Sequence, residues 1–169
     1  MKKSIYVAMS LAVAACQADE KAAPKKDRDD WPVARGGAGL SGQVGVGLPP
    51  KPDIKWMIQT EGAIVGETVV AKDTVIFGNS AGLLTAVDLQ SGKKKWQREF
   101  EQSFEAAPAI LGDTIFIGCE DMKLYALELA TGKDKWAIET DDKITAGVNL
   151  TKSPDGKSDW IVMNGYDGV

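Results

Sequence analysis

The chain has 169 residues, 44% of them apolar and 26% charged, which is enough apolar content for a folded globular domain. Its 24 acidic residues against 20 basic ones give a formal net charge of −4, which argues against a nucleic-acid surface built on a basic excess. Histidine is absent, which removes imidazole zinc ligands and Ser-His-Asp triads, and two cysteines are too few for a zinc ribbon or a disulfide scaffold.

The N-terminus reads as an address. Lys2 and Lys3 precede an apolar run from Ile5 to Ala15. That run is too short to cross about 30 Å of hydrocarbon, which takes roughly 20 helical residues. A basic start, a short apolar core and the small residues Val13, Ala14 and Ala15 describe a secretory signal over residues 1–15. Cys16 follows at once, and the four residues resemble the bacterial lipobox, in which cleavage leaves an acylated N-terminal cysteine. The resemblance implies lipidation of Cys16, and Gln17 after it resembles the outer-membrane class. Several acyl chains, at about 0.8 kcal/mol per buried methylene, anchor stably. Cys119 is then the one thiol left, and the expectation is that it is buried and inert.

Residues 16–52 read as a flexible tether. They carry the mixed charge run Lys25-Lys26-Asp27-Arg28-Asp29-Asp30, a glycine-rich stretch, and Pro49, Pro50 and Pro52, with little apolar surface to bury.

From residue 53 onward the chain repeats itself. Trp56, Trp96 and Trp136 stand at two successive intervals of 40, a period typical of four-stranded propeller blades. Sliding residues 73–96 onto 113–136 without a gap matches ten of 24 positions, among them Gly78 with Gly118, Gly92 with Gly132 and Trp96 with Trp136. Within each unit, Thr74–Phe77 and Thr114–Ile117 are β-branched and aromatic runs, and Leu83–Leu89 and Lys123–Leu129 predict the next strand. Gly92 and Gly132 supply the left-handed backbone that a tight hairpin needs. The tryptophan strands, Lys95–Phe100 and Lys135–Thr140, follow. The pattern restarts at Ile144–Leu150, lengthens through Ser153-Pro154-Asp155-Gly156, and continues into Trp160–Met163. Short strands without a helical period predict an all-β fold, an incomplete arc of about three four-stranded antiparallel blades.

Ala86-Val87-Asp88-Leu89-Gln90-Ser91-Gly92-Lys93-Lys94-Lys95-Trp96 and its second copy, Ala126 to Trp136, are similar to the tryptophan-docking motif of the PQQ-binding-like β-propeller repeats. Glu128 stands where Asp88 stands in the first copy, and Ser91 where Thr131 stands in the second. Asp30-Trp31-Pro32 with Arg35-Gly36 resembles the lead-in of secreted members. The resemblance implies that Trp56, Trp96 and Trp136 are structural, each docked over the glycine turn of a neighbouring blade. Family members with these repeats include quinoprotein dehydrogenases and BamB-like outer-membrane assembly lipoproteins that bind no quinone.

A quinoprotein enzyme needs calcium held by several convergent oxygens, a nearby aspartate base and usually a vicinal cysteine pair. Glu120-Asp121 and Asp141-Asp142 read as solvated turns, Cys16 and Cys119 are far apart, and Lys93-Lys94-Lys95 reads as a hairpin tip. No catalytic residue, metal or cofactor is therefore expected. The resemblance implies a non-catalytic, lipid-anchored periplasmic propeller that acts as an interaction scaffold, attached to the outer membrane and binding periplasmic or outer-membrane proteins. The alternatives are a carbohydrate- or small-ligand sensor, and the N-terminal part of a PQQ-dependent quinoprotein dehydrogenase. An arc under three blades leaves an uncovered face, which predicts a piece of a longer propeller or a chain that closes its ring by self-association.

Overall fold

The computed structural model describes residues 9–10, 30–36 and 50–165. The stretch read as a secretory signal apart from Met9 and Ser10, Cys16, most of the stretch read as a tether and the terminal Tyr166-Asp167-Gly168-Val169 lie outside the described residues.

Alternating β-branched and aromatic residues build two four-stranded antiparallel sheets. The first contains β2 (Val69–Ala71), β3 (Thr74–Gly78), β4 (Leu83–Asp88) and β5 (Lys94–Glu99), in that spatial order; β1 is the two-residue Met9–Ser10. The second repeats the order with β6 (Ala109–Leu111), β7 (Thr114–Cys119), β8 (Lys123–Glu128) and β9 (Asp134–Glu139). A third sheet pairs β10 (Asn149–Lys152) with β11 (Asp159–Val162), and β1 lies along β11. The β2–β3 hairpin closes through Lys72 and Asp73, both left-handed at φ 48° and 55°, a two-residue turn whose twist suits the flanking strands. A register shift follows Ala86 in β4 and Ala126 in β8, so the repeat extends to the irregularities of the ladder.

Side-chain alternation sends each central strand into two cores. Ile76 packs toward the second sheet with Val69, Leu84, Phe104, Ile115, Ile117 and Leu127. Val75 and Phe77, on the opposite face, meet Trp56 and Leu89. In the second sheet Phe116 turns to the far side and packs with Leu124, Ile144, Val148 and Ile161. Full burial of one such aliphatic side chain contributes about 1.5–3 kcal/mol. The outer strands β5 and β9 are solvated except at alternate positions, where Trp96, Arg98, Trp136 and Ile138 turn inward.

The structure departs from the sequence expectations in three places. The innermost strands β2 and β6 are three residues each, too short to stand out as periodic runs. Of Ile144–Leu150, only the last two residues join a strand; Ile144 sits in the loop before it, fully buried. Residues 30–36, inside the stretch expected to be tether, pack against the inner strands. Trp31 and Val70 exchange both backbone hydrogen bonds, at 2.6 and 2.8 Å, and the Ile110 amide donates to the Pro32 carbonyl at 2.7 Å. Val33 is buried among Ala109, Phe116 and Val148. The open edges of β2 and β6 need partners for their backbone groups, and this segment supplies them.

Candidate functional site

The recurring feature of the molecule is the seam between successive sheets, where an indole meets a glycine turn. Trp96, on β5, lies over the β8–β9 turn, and an added Cβ at Gly132 would come within 2.8 Å of its ring. The indole Nε1 donates to the Leu129 carbonyl at 3.0 Å. Trp56 repeats the arrangement on the β4–β5 turn: an added Cβ at Gly92 would meet the ring at 2.7 Å, and Nε1 donates to the Leu89 carbonyl at 2.9 Å. Both turn glycines are left-handed, at φ 68° for Gly92 and 71° for Gly132. Each therefore meets two demands at once, a positive φ and the absence of a side chain.

Asp88 and Glu128 shape these turns. The Asp88 carboxylate accepts from the Ser91 amide at 2.8 Å and the Ser91 hydroxyl at 2.7 Å, and those bonds hold its pKa below the usual carboxylate range. Glu128 accepts from the Thr131 hydroxyl, while the Thr131 amide turns to the Glu128 carbonyl. The longer side chain thus keeps the hydroxyl contact and yields the amide contact to the backbone. Lys95 donates to the Asp73 carbonyl and the Thr74 hydroxyl, and Lys135 to the Asp113 carbonyl and the Thr114 hydroxyl. The lysines read as a solvated tip are in part turn-to-strand ties.

A second glycine contact recurs at the opposite ends of the sheets. Phe104 lies over Gly78 and Ile144 over Gly118, where an added Cβ would stand 2.5 and 2.2 Å from the overlying side chain. The seam between the two full sheets has one further element. Arg98 holds Asp134 through two parallel hydrogen bonds of 2.7 and 2.9 Å, donates to the Gly132 carbonyl at 2.9 Å, and stacks 4.5 Å over the Phe100 ring. Its counterparts one repeat away are Ile58 and Ile138, so the clasp is particular to this seam. Nothing in the spacing of the repeat marked Arg98 out. Trp136 packs near Phe116, with centroids 5.8 Å apart, and lines an apolar hollow with Leu124, Ile138, Ile161 and Met163.

The acidic pairs were the best candidates for a metal or quinone. Glu120 accepts the Ser103 hydroxyl and pairs with Lys143 at 3.3 Å, which together hold it below the usual carboxylate pKa. Asp121 accepts from the Tyr125 hydroxyl at 2.5 Å and the Lys123 amide at 3.2 Å. The oxygens point to protein donors rather than to a shared centre, and no group of three or more such ligands converges among the described residues. The Glu120 and Asp121 carboxylates are thus engaged by neighbouring protein donors. Cys119 is fully buried, its thiol directed at the Gln102 and Ser103 carbonyls. Burial pushes its pKa up from 9.0 to about 12. The folded state then holds a proton that the unfolded chain releases above pH 9, so this stability is intact below pH 9 and declines up to about pH 12. The urea midpoint is expected to fall between pH 7 and pH 10, and to fall less in Cys119→Ala; equal slopes would show that the thiol is not the group responsible.

Antiparallel four-stranded sheets that recur every 40 residues, stack core to core and meet in indole-on-glycine seams define a β-propeller repeat protein, its ring not closed among the described residues. Residues 50–162 match the family model described as outer membrane protein assembly factor BamB, well over half of the chain, and the chain belongs to that family. Its fold is similar to that of BamB from Moraxella catarrhalis, with a TM-score of 0.55 and 22% identity over 68% of this chain and 34% of that one. It is also similar to the quinohemoprotein alcohol dehydrogenase of Comamonas testosteroni, at TM-score 0.64 and 19% identity over 73% of this chain and 22% of that one. A europium-containing methanol dehydrogenase gives TM-score 0.64 and 18% identity over 75% and 27% of the two chains. At these identities the likeness is one of fold, and the chain spans about a third or less of each of these proteins. No curated protein matches the sequence at a significant level.

Proposed function

We propose that this chain belongs to a non-catalytic, lipid-anchored propeller on the periplasmic side of the outer membrane that holds other envelope proteins during outer-membrane protein assembly. The match of residues 50–162 to the assembly-factor family carries the reading. The physical chemistry of the seams supports it: the tryptophans, the turn glycines, Asp88 and Glu128 are engaged in packing and turn closure. Sheet edges and inter-blade grooves suit capture of an extended segment by β-augmentation. Cells lacking the protein are expected to show less folded β-barrel protein in the outer membrane, measured by heat-modifiable mobility. Unchanged barrel assembly would overturn the scaffold role.

The anchor has its own test. Labelled palmitate is expected to enter the wild type and to be lost in Cys16→Ala, with the label tracking the outer-membrane fraction. Equal labelling of the two would remove the lipoprotein reading and leave the scaffold reading standing.

Part of a quinoprotein dehydrogenase is the second reading, favoured by the likeness to two dehydrogenase folds. The engaged carboxylates of Glu120 and Asp121 weigh against it. Calorimetry with PQQ and with calcium is expected to give no tight binding; submicromolar affinity for either would reverse the order of the two readings.

A further inference from the structure

The segment 30–36 fixes where the N-terminal part of the chain joins the sheets. Trp31 pairs antiparallel with Val70 of β2, so the segment runs from the β2–β3 turn back toward the start of β2. The contacts at its two ends agree. The Lys72 amide, in that turn, donates to the Asp30 carboxylate at 3.1 Å, and the Arg35 amide donates to Glu67, ahead of β2, at 3.1 Å. The chain therefore enters the fold at the rim that carries the turns at 72–73, 89–93, 112–113, 129–133 and 153–158. Residues 17–29 separate Asp30 from Cys16, a reach of at most about 50 Å when fully extended.

The two rims of the sheets differ in charge. The turn rim carries Lys72, Lys93, Lys133 and Lys157 against Asp73, Asp113 and Asp155. Lys72 and Asp113 pair at 2.6 Å, and Asp155 accepts from the Ser153 hydroxyl at 2.5 Å. Lys93, Lys133 and Lys157 are exposed, and their ammonium groups meet no partner among the described residues. The opposite rim, built from the loops at 100–106, 119–122 and 140–147, carries Glu101, Glu105, Glu120, Asp121, Asp141 and Asp142 against Lys143 alone.

We propose that the turn rim faces the anionic phospholipid surface, with Lys93, Lys133 and Lys157 toward the headgroups and the acidic rim directed away. The inference rests on the lipoprotein reading of Cys16 and adds to it an orientation. The leash keeps the sheets near the surface, and its point of entry gives the turn rim the shorter path. The field then selects that rim. Within a Debye length of about 8–10 Å, free ammonium groups are drawn to phosphatidylglycerol and carboxylates are repelled by it. The reverse orientation would set the six carboxylates against the surface and pass the leash along the height of the sheets.

A depth measurement on the acylated protein tests it, in vesicles of phosphatidylethanolamine and phosphatidylglycerol. A nitroxide is attached at Ala130→Cys on the turn rim or at Gln102→Cys on the opposite rim; both positions are exposed, whereas Cys119 is buried and stays unlabelled. Nickel chelate carried on the lipid headgroups is expected to relax the first label about threefold or more strongly than the second. Lys93→Glu combined with Lys133→Glu is expected to remove the difference. Equal relaxation at the two positions, or stronger relaxation at residue 102, in protein that floats with the vesicles would overturn the orientation and leave the anchor reading standing. A difference untouched by the charge reversal would overturn the lipid contact assigned to the lysines. Protein that fails to float would overturn anchor and orientation together.

Discussion

Truncation of Trp96 to alanine is expected to lower stability by about 3 kcal/mol, the low end of the range for removing a large buried aromatic, because the ring is half-buried. Two losses combine. The ring leaves an apolar gap between the two full sheets, and the Leu129 carbonyl loses the indole donor it accepts at 3.0 Å. Trp31→Ala is expected to cost less, because backbone hydrogen bonds to Val70 tie Trp31 to the inner strand and survive truncation. Urea titration of both variants checks the order. A neutral Trp96→Ala would show that the seam does not depend on the ring.

Gly132→Ala is expected to be comparably damaging, at about 2–5 kcal/mol. A left-handed backbone at φ 71° costs a residue with a Cβ about 1–2 kcal/mol, and overpacking against the Trp96 ring adds about 1–3 kcal/mol. Gly112→Ala separates the two contributions. Gly112 is also left-handed, at φ 60°, but nothing lies within 4 Å of an added Cβ, so only the backbone cost remains. In a Trp96→Ala background the steric part of Gly132→Ala is expected to vanish, which a double-mutant cycle reads as coupling between neighbours. Additive effects would mean that the ring and the glycine do not meet.

The recurring parts of the molecule were legible in the sequence because they recur in the sequence. Trp96 and Trp136 stand 40 residues apart with Gly92 and Gly132, and the strands between them come within a residue or two of their expected bounds. A tight hairpin must have its left-handed residue in a fixed place, and an indole of fixed size admits only glycine beneath it. Local chemistry of that kind leaves a mark that a single chain displays. The positions of Gly78 and Gly118 were visible for the same reason, as identities within the repeat.

What covers those glycines was decided by the tertiary structure. Phe104 in one unit and Ile144 in the next do the same work with different side chains, since burial against a flat glycine asks for apolar volume and not for one residue type. The Arg98–Asp134 clasp joins residues 36 apart and occurs at one seam, so no periodicity announces it. Residues 30–36 have the composition of a linker, yet the unpaired inner edges of β2 and β6 draw their backbone into the fold. Composition reports how much apolar surface a segment can bury; it does not report which open strand edge lies beside it. Repeat, turn chemistry and strand order were thus determined by the sequence alone, and the seams acquired their partners only when the sheets came together.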